Sequence, residues 1–200
     1  MDKFKKCLSY SVFWFIQLTW GIIMNLVGAV VVLSLLIAGK KPHKVGPVIY
    51  VQVGKDWGGL ELGGFFICCE NATAKTIYHE CGHSIQNLIW GPLFPLVIAI
   101  PSATRYWLRQ FNTHLSKSLF NLFYLLSALA LTTGIACITG GLLHIKWLTI
   151  VVESFRLYFL LISIWMSTIE IKKYDKQSVD YDAIWFEGQA TCLGIKIFTK

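Results

Sequence analysis

The chain has 200 residues, of which 55% are hydrophobic and 14% are charged. Soluble domains carry close to a quarter charged residues, so this composition predicts one integral membrane domain over residues 1–200, with the lipid bilayer as a partner. The formal net charge is +7, but Lys and Arg cluster at the ends of apolar segments without aromatic residues between them. This pattern argues against a nucleic-acid-binding protein.

The first apolar segment covers residues 12–37 and is long enough to cross a bilayer as one helix. Lysines flank it on both sides. The segment is longer than the core of a signal peptide, and no clear cleavage site follows it. We therefore expect an uncleaved membrane anchor.

Residues 45–90 differ in composition from the first segment, and they predict a β-rich part followed by a helical part. The β-rich stretches 48–53 and 60–68 are separated by a turn rich in Gly and Asp, which predicts a β-hairpin. Asn71 or Thr73 can then cap a helix that runs to about Ile89.

This predicted helix carries the sequence His79-Glu80-Cys81-Gly82-His83. Residues four apart lie on one face of a helix, so His79 and His83 can bind a single Zn²⁺ ion. Glu80 is then placed to take a proton from a metal-bound water, as a general base. The alternative is that the two histidines are ordinary polar residues of an interfacial helix.

Residues 91–104 are apolar, but the segment is short and contains Pro92, Pro95 and Pro101. This favours a re-entrant or interfacial segment over a complete span. The residues that follow, Arg105, Arg109 and Lys117, predict an exposed basic loop.

Two further apolar segments, 118–143 and 147–169, are separated by a short link around His144. They predict a hairpin of two transmembrane helices. Glu153 and Arg156 lie three residues apart inside the second helix and can face each other. We expect a mutually neutralising structural pair; the alternative is a role at a functional site.

The tail, residues 172–200, is polar and offers a third metal ligand, which a zinc site requires. Glu187 is followed by Ala190 on a predicted short helix that a glycine closes. Glu187 could instead be a solvated charge, and Asp180 or Asp182 could be the ligand. Tyr181 is a candidate for stabilising an oxyanion.

Several motifs together resemble the HtpX-like membrane zinc metallopeptidases, which are gluzincins, and related bacterial membrane proteins with an HE-x-GH-x-x-Q helix. The matching stretches are residues 76–86 (TIYHECGHSIQ), 91–93 (GPL), 100–102 (IPS) and 187–194. The resemblance implies that His79, His83 and Glu187 bind Zn²⁺ and that Glu80 is the general base. One position departs from that family, because Thr191 stands where such peptidases commonly have Asp. If that Asp supports a zinc-bound histidine, its absence predicts weaker metal binding or another hydrogen-bond partner.

Topology and sidedness follow from the same segments. Glu187 can meet the two histidines only if an even number of spans separates them, and a re-entrant 91–104 gives two. Thirteen Lys and Arg residues then lie on the active-site side, against four on the other side. This excess favours an active site facing the cytoplasm, with the N-terminus outside, and the resemblance implies a bacterial inner membrane.

The sequence therefore predicts a mainly α membrane protein with about three transmembrane helices and a small β-hairpin beside the helix of the zinc motif. Its predicted function is zinc-dependent endopeptidase activity on a peptide or protein substrate, which the strand region 60–68 holds in extended form. The alternative is a catalytically degenerate homologue that acts as a binding or regulatory protein, an interpretation that Thr191 supports. A small transporter is a third possibility.

Overall fold

The structure, a computed structural model, describes residues 3–142, 145–173 and 179–199. These residues are mainly helical and include one four-stranded sheet. The predicted mainly α fold with a small β element is therefore confirmed. They pack as two compact units, one within Met1–Ser102 and Asp180–Lys200 and the other within Ala103–Val179. The link around His144 and residues 174–178 of the predicted tail lie outside the described residues.

The first apolar segment is two helices rather than one straight span. α1 covers Lys3–Thr19 and α2 covers Ile22–Ile37, and their axes differ by 100°. Asn25 lies just after the break, where its Nδ2 donates to the carbonyls of Gln17 and Gly21, each at 2.9 Å. These bonds satisfy backbone groups that a break in a helix exposes. Apolar periodicity does not reveal the bend, because both helices are apolar.

The sheet differs from the predicted hairpin. Its strands are β1 (Pro42–Val45), β2 (Val48–Gln52), β3 (Gly59–Leu62) and β4 (Phe65–Cys68), in the order β1-β2-β4-β3. β3 and β4 form a tight antiparallel hairpin through Gly63 and Gly64, and β2 pairs with β4 in parallel. The predicted pairing of 48–53 with 60–68 as one hairpin is therefore wrong. Gly63 has a φ of +87°, which permits the two-residue turn that divides 60–68.

The helix of the zinc motif, α3, covers Ala74–Trp90, and the Thr73 side chain accepts a hydrogen bond from the Thr76 backbone. The structure thus confirms both the predicted helix and Thr73 as its cap. Cys81 on this helix packs against Phe66 and Cys68 of the sheet in a buried apolar core.

After α3 the chain bends sharply instead of continuing. A 3₁₀ turn (Gly91–Leu93) and a π-helical turn (Pro95–Ala99) lead into α4 (Ile100–Arg109). The axis turns by 117° between Ala74–Leu93 and Pro95–Arg109. This geometry suits a broken span or a re-entrant loop, so the re-entrant segment over 91–104 stays a prediction.

The second unit contains the two long apolar helices. α5 (His114–Ala136) continues through a π-helical segment to Leu142, and α6 (Lys146–Trp165) continues through another to Glu170, before the short α7 (Ile171–Lys173). Within the described residues, these two helices are long and apolar enough to cross a membrane, and each bent helix pair would add one more span if counted as such. The two predicted hairpin helices therefore have the expected length and apolarity.

The prediction of an exposed basic loop is wrong for Arg105 and Arg109. Arg105 lies on α4 and is fully buried, with its Nε donating to Glu170 Oε2 at 2.9 Å. Arg109 Nη2 donates to the carbonyl of Val179 at 2.9 Å. Sequence reasoning placed them at the surface because it had no means of pairing Arg105 with a carboxylate 65 residues away.

Beyond residue 178, the tail forms a 3₁₀ turn, Tyr181–Ala183, followed by α8, Trp185–Phe198. The predicted short helix is therefore longer than expected. Gly194 lies inside α8 and does not close it.

Candidate metal centre

Two glycines allow α3 and α8 to pack with their backbones in contact. A Cβ on Gly82 would collide with the carbonyl of Ala190, and a Cβ on Gly194 would collide with the carbonyl of Tyr78. Gly194 therefore serves packing. This close approach allows Glu187, in the first turn of α8, to reach the histidines of α3.

Three donor atoms converge where these helices meet. His79 Nε2 and His83 Nε2 are 3.1 Å apart, and Glu187 Oε2 lies 3.2 Å from each of them. His83 and Glu187 are buried, and His79 is half-buried. Among the residues that the structure describes, these three form the one group of His, Cys, Asp or Glu whose ligand atoms are close enough to hold a metal ion.

The spacing of these atoms fits zinc. A tetrahedral zinc site with bonds of about 2.0–2.1 Å has donor atoms about 3.3 Å apart. The three observed separations, 3.1, 3.2 and 3.2 Å, form such a triangular face and leave a fourth direction for water or substrate.

The alternative ligands do not join this group. Asp182 Oδ1 lies 3.9 Å from Nδ1 of His79, the ring nitrogen that is not directed at the cluster, and its Oδ2 pairs with Lys75 at 3.3 Å. Asp180 caps the 3₁₀ turn by accepting from the Asp182 backbone. Of the three acidic candidates, the structure brings Glu187 alone to both histidines.

Each histidine is also held at its other nitrogen. His83 Nδ1 lies 2.7 Å from Gln86 Oε1, while Gln86 Nε2 donates to the Phe186 carbonyl and to Gln189 Oε1. Because Gln86 Oε1 can only accept, His83 donates its Nδ1 proton to Gln86 and directs Nε2 at the cluster. Sequence reasoning gave Gln86 no role, although its position three residues after His83 places it on the same helical face.

His79 is held by the residue that departs from the resembled family. Thr191 Oγ1 lies 2.7 Å from His79 Nδ1. Thr191 follows Glu187 by four residues on α8, so the two side chains point to the same face of that helix. A hydroxyl therefore occupies the place of the expected carboxylate.

The electrostatics of the cluster favour a bound cation. Burial raises the pKa of Glu187, but hydrogen bonds from His79 and His83 and the charge of His83 outweigh it and hold that pKa well below its usual range. The carboxylate is therefore ionised. An ionised carboxylate and two imidazole lone pairs within hydrogen-bonding distance repel one another unless a proton or a metal ion lies between them.

Glu80 lies beside the cluster on the face of α3 that packs against β3. Its side chain is buried and rests on the backbone of Gly59, where any Cβ would collide with its carboxylate. Glu61 lies two residues further along β3 on the same face of the strand. The predicted general base thus stands between the metal ligands and the last strand of the sheet.

Sequence reasoning missed Glu61, although a glutamate inside a short strand beside the zinc motif was a visible signal. Its Oε1 accepts from the Gly63 backbone at 2.6 Å, and its buried Oε2 has no hydrogen-bond partner. Burial raises the pKa of Glu61 well above its usual range and the charge of Glu80 adds to this, although His83 and the Gly63 N–H act in the opposite direction.

Tyr181 also lies near the cluster, as the tail sequence suggested. Its ring centre is 6.2 Å from that of His79, and its hydroxyl is 3.5 Å from Ser102 Oγ. Burial and the charge of Glu187 raise the pKa of Tyr181, so its hydroxyl stays protonated and can donate a hydrogen bond.

Comparisons with family models, with curated proteins and with solved structures find no match to this chain.

Proposed function

We propose that this protein is a membrane-embedded zinc metalloendopeptidase, with zinc held by His79, His83 and Glu187 and with Glu80 as the general base. The observation that carries the proposal is the convergence of two imidazole nitrogens and one carboxylate oxygen at 3.1–3.2 Å. The remaining nitrogen of each histidine already has a partner, which fixes the ring that faces the cluster.

Zinc bound there would supply Lewis acidity, which lowers the pKa of a water molecule to about 7 and polarises a carbonyl group. Glu80 accepts the proton that the attacking water loses and passes it to the leaving amine. Tyr181 donates its hydroxyl hydrogen to the negative charge that develops on the carbonyl oxygen.

The substrate would bind along β3 in extended form. β3 is the last strand of the sheet and pairs with β4 on one side, so its other edge can accept a peptide strand by backbone hydrogen bonds. Gly59, at the start of β3, has no side chain between this edge and Glu80. A peptide on β3 would therefore pass next to the general base.

The membrane arrangement supports the same site. If α5 and α6 each cross the bilayer, the chain returns to the side it left, which allows Glu187 to meet the histidines. The bend of 117° after α3 is compatible with a segment that does not cross. The excess of Lys and Arg on the side of the metal site favours a cytoplasmic active site, and the resemblance suggests a bacterial inner membrane.

The first test is metal analysis of the purified protein, combined with cleavage of a quenched-fluorescent peptide library in detergent. We expect about one zinc per chain and peptide cleavage. Glu80→Gln should keep the zinc and abolish cleavage, whereas His83→Ala should lose both. A protein without zinc would overturn the proposal.

The rival function is that of a non-catalytic binding or regulatory protein, and the same assay separates the two. Zinc binding with no cleavage by the parent protein would favour the rival. Cleavage that persists in Glu80→Gln would rule out the proposed mechanism. The hydroxyl of Thr191 on His79 weakens the case for a degenerate site, because the histidine is supported without Asp.

A further inference from the structure

The α5–α6 hairpin carries an ion pair on its outer surface. Arg156 Nη1 lies 2.8 Å from Glu153 Oε2, and the two side chains are 31% and 47% exposed. The predicted contact between these residues is confirmed. Their exposure, however, is unusual for charges inside a candidate span, because such groups commonly face other helices or a water-filled cavity.

The arginine is fixed across both helices. Its Nε lies 3.4 Å from Thr132 Oγ1 and its Nη2 lies 3.2 Å from Thr133 Oγ1, both on α5. The pair lies about 10–15 Å along the helix from Lys146, given a rise of 1.5 Å per residue. That depth is inside the hydrocarbon core of a bilayer about 30 Å thick.

The surface beside the ion pair is concave and includes small residues. A cavity of about 560 Å³ is lined by the small residues Gly140, Thr149 and Ser154 and by the larger residues Lys146, Ile150, Glu153 and Leu157. Small residues allow a second helix to approach closely within a membrane, and polar side chains then form bonds between helices. We call this surface, formed by Glu153, Arg156 and the cavity, the polar patch.

We propose that the polar patch is the surface through which two copies of this chain associate in the membrane, about a twofold axis along the membrane normal. Each Arg156 guanidinium would meet Glu153 of the second copy, which gives a ring of four alternating charges. The proposal goes beyond the peptidase function and depends on the membrane placement of the hairpin alone.

The choice of a second copy follows from charge and symmetry. A twofold contact places the same patch on both sides, so the patch must complement itself. An acid and a base separated by about 4.5 Å along the helix axis meet this condition, because the arginine side chain can span that offset. A hydrocarbon tail offers no such partner, and an apolar helix of another protein offers none either.

Cross-linking in lipid nanodiscs tests the contact. Leu157 is exposed and lies one turn from Glu153 on the same face, whereas Phe155 is exposed at a similar depth on the opposite face. In a background where Cys7, Cys137 and Cys192 are changed to Ser, we expect Leu157→Cys to form a disulfide-linked dimer under mild oxidation. Phe155→Cys should remain monomeric. Leu157→Cys that stays monomeric would overturn the proposal. Leu157→Cys that cross-links to another protein instead of to a second copy would also overturn it.

Charge changes test the same contact without a cross-link. Glu153→Lys gives a patch with two positive charges, and Arg156→Glu gives one with two negative charges. We expect each variant alone to dimerise at least tenfold more weakly than the parent chain, and differently tagged copies of the two variants to form a mixed dimer. Mixed copies that stay monomeric, or single variants that dimerise as well as the parent, would show that the pair serves only the fold. Zinc content should be unchanged throughout, so failure here is distinguishable from failure of the proposed function.

Discussion

The hydroxyl of Thr191 lies 2.7 Å from Nδ1 of His79 and supports the histidine that the departure from the resembled family would have left without a partner. A hydroxyl is a weaker partner for a metal-bound histidine than a carboxylate. Asp182, at 3.9 Å from the same nitrogen, adds negative charge without a direct hydrogen bond. The motif is thus altered at this position, but the histidine keeps its orientation.

Changing Thr191 to Val should weaken zinc binding, because the isosteric side chain cannot hydrogen-bond to His79. Loss of such a partner typically reduces metal affinity about 10–100-fold. Thr191→Asp should strengthen binding relative to the parent chain. Competition with a fluorescent chelator measures both effects, and Cys192→Ser, at the neighbouring exposed position, is the control. Equal affinities for all four proteins would remove Thr191 from the metal centre.

Gln86 should control the second histidine. Gln86→Leu leaves the proton on His83 Nδ1 without its acceptor at 2.7 Å, in a buried position where an unpaired group is costly. We expect a decrease in zinc affinity of about 10–100-fold. Gln189→Leu removes only a partner of the Gln86 amide, so its effect should be smaller. The reverse order of effects would contradict the assignment.

The sequence predicts those features of the site that depend on residues close together in the chain. The spacing of His79 and His83 and the cap at Thr73 follow from helical geometry within a few residues, and the structure contains both features. Glu187 was identified by a motif in a distant segment, and its contact with the histidines depends on the packing of α8 against Gly82.

The failures of sequence reasoning concern contacts between distant residues. The parallel pairing of β2 with β4 requires β4 to lie between β2 and β3, and no local pattern reveals that arrangement. The break after α1 is held by Asn25, which reads as one polar residue in an apolar run. Arg105 was expected at the surface because charge usually indicates exposure, yet it is buried, and so is Glu61, to which sequence reasoning gave no role.

Gly82→Ala should separate α3 from α8. The added methyl group would collide with the Ala190 carbonyl, which backbone movement alone can relieve. Such overpacking typically costs about 1–3 kcal/mol, and the displaced Glu187 should also lose zinc. Thermal unfolding in detergent and zinc content measure these effects. Gly141→Ala, where an added Cβ meets open space, should change neither; similar behaviour of the two variants would argue against close packing at Gly82.

The buried carboxyl of Glu61 should make stability fall as pH rises. Because burial raises its pKa in the folded protein, the folded state binds the proton more tightly than the unfolded chain does. The stability that protonated Glu61 contributes is therefore complete below the ordinary glutamate pKa. It is lost as pH increases through the pKa of Glu61 in the folded protein. Glu61→Gln should remove this dependence and melt at a higher temperature than the parent at pH 8, with little difference at pH 4. Glu70→Gln, at an exposed glutamate paired with Lys40, should not do so.

Tyr181→Phe should separate catalysis from metal binding. Its hydroxyl lies near Ser102 and its ring near His79, but Tyr181 is not one of the three converging ligands, so zinc content should be unchanged. If the hydroxyl stabilises the oxyanion, its removal should decrease kcat about 10²–10³-fold with little change in KM. A purely structural role would instead lower zinc content and thermal stability. Phenylalanine keeps the ring contact with His79, so a loss of kcat in a stable, zinc-loaded variant would assign the effect to the hydroxyl.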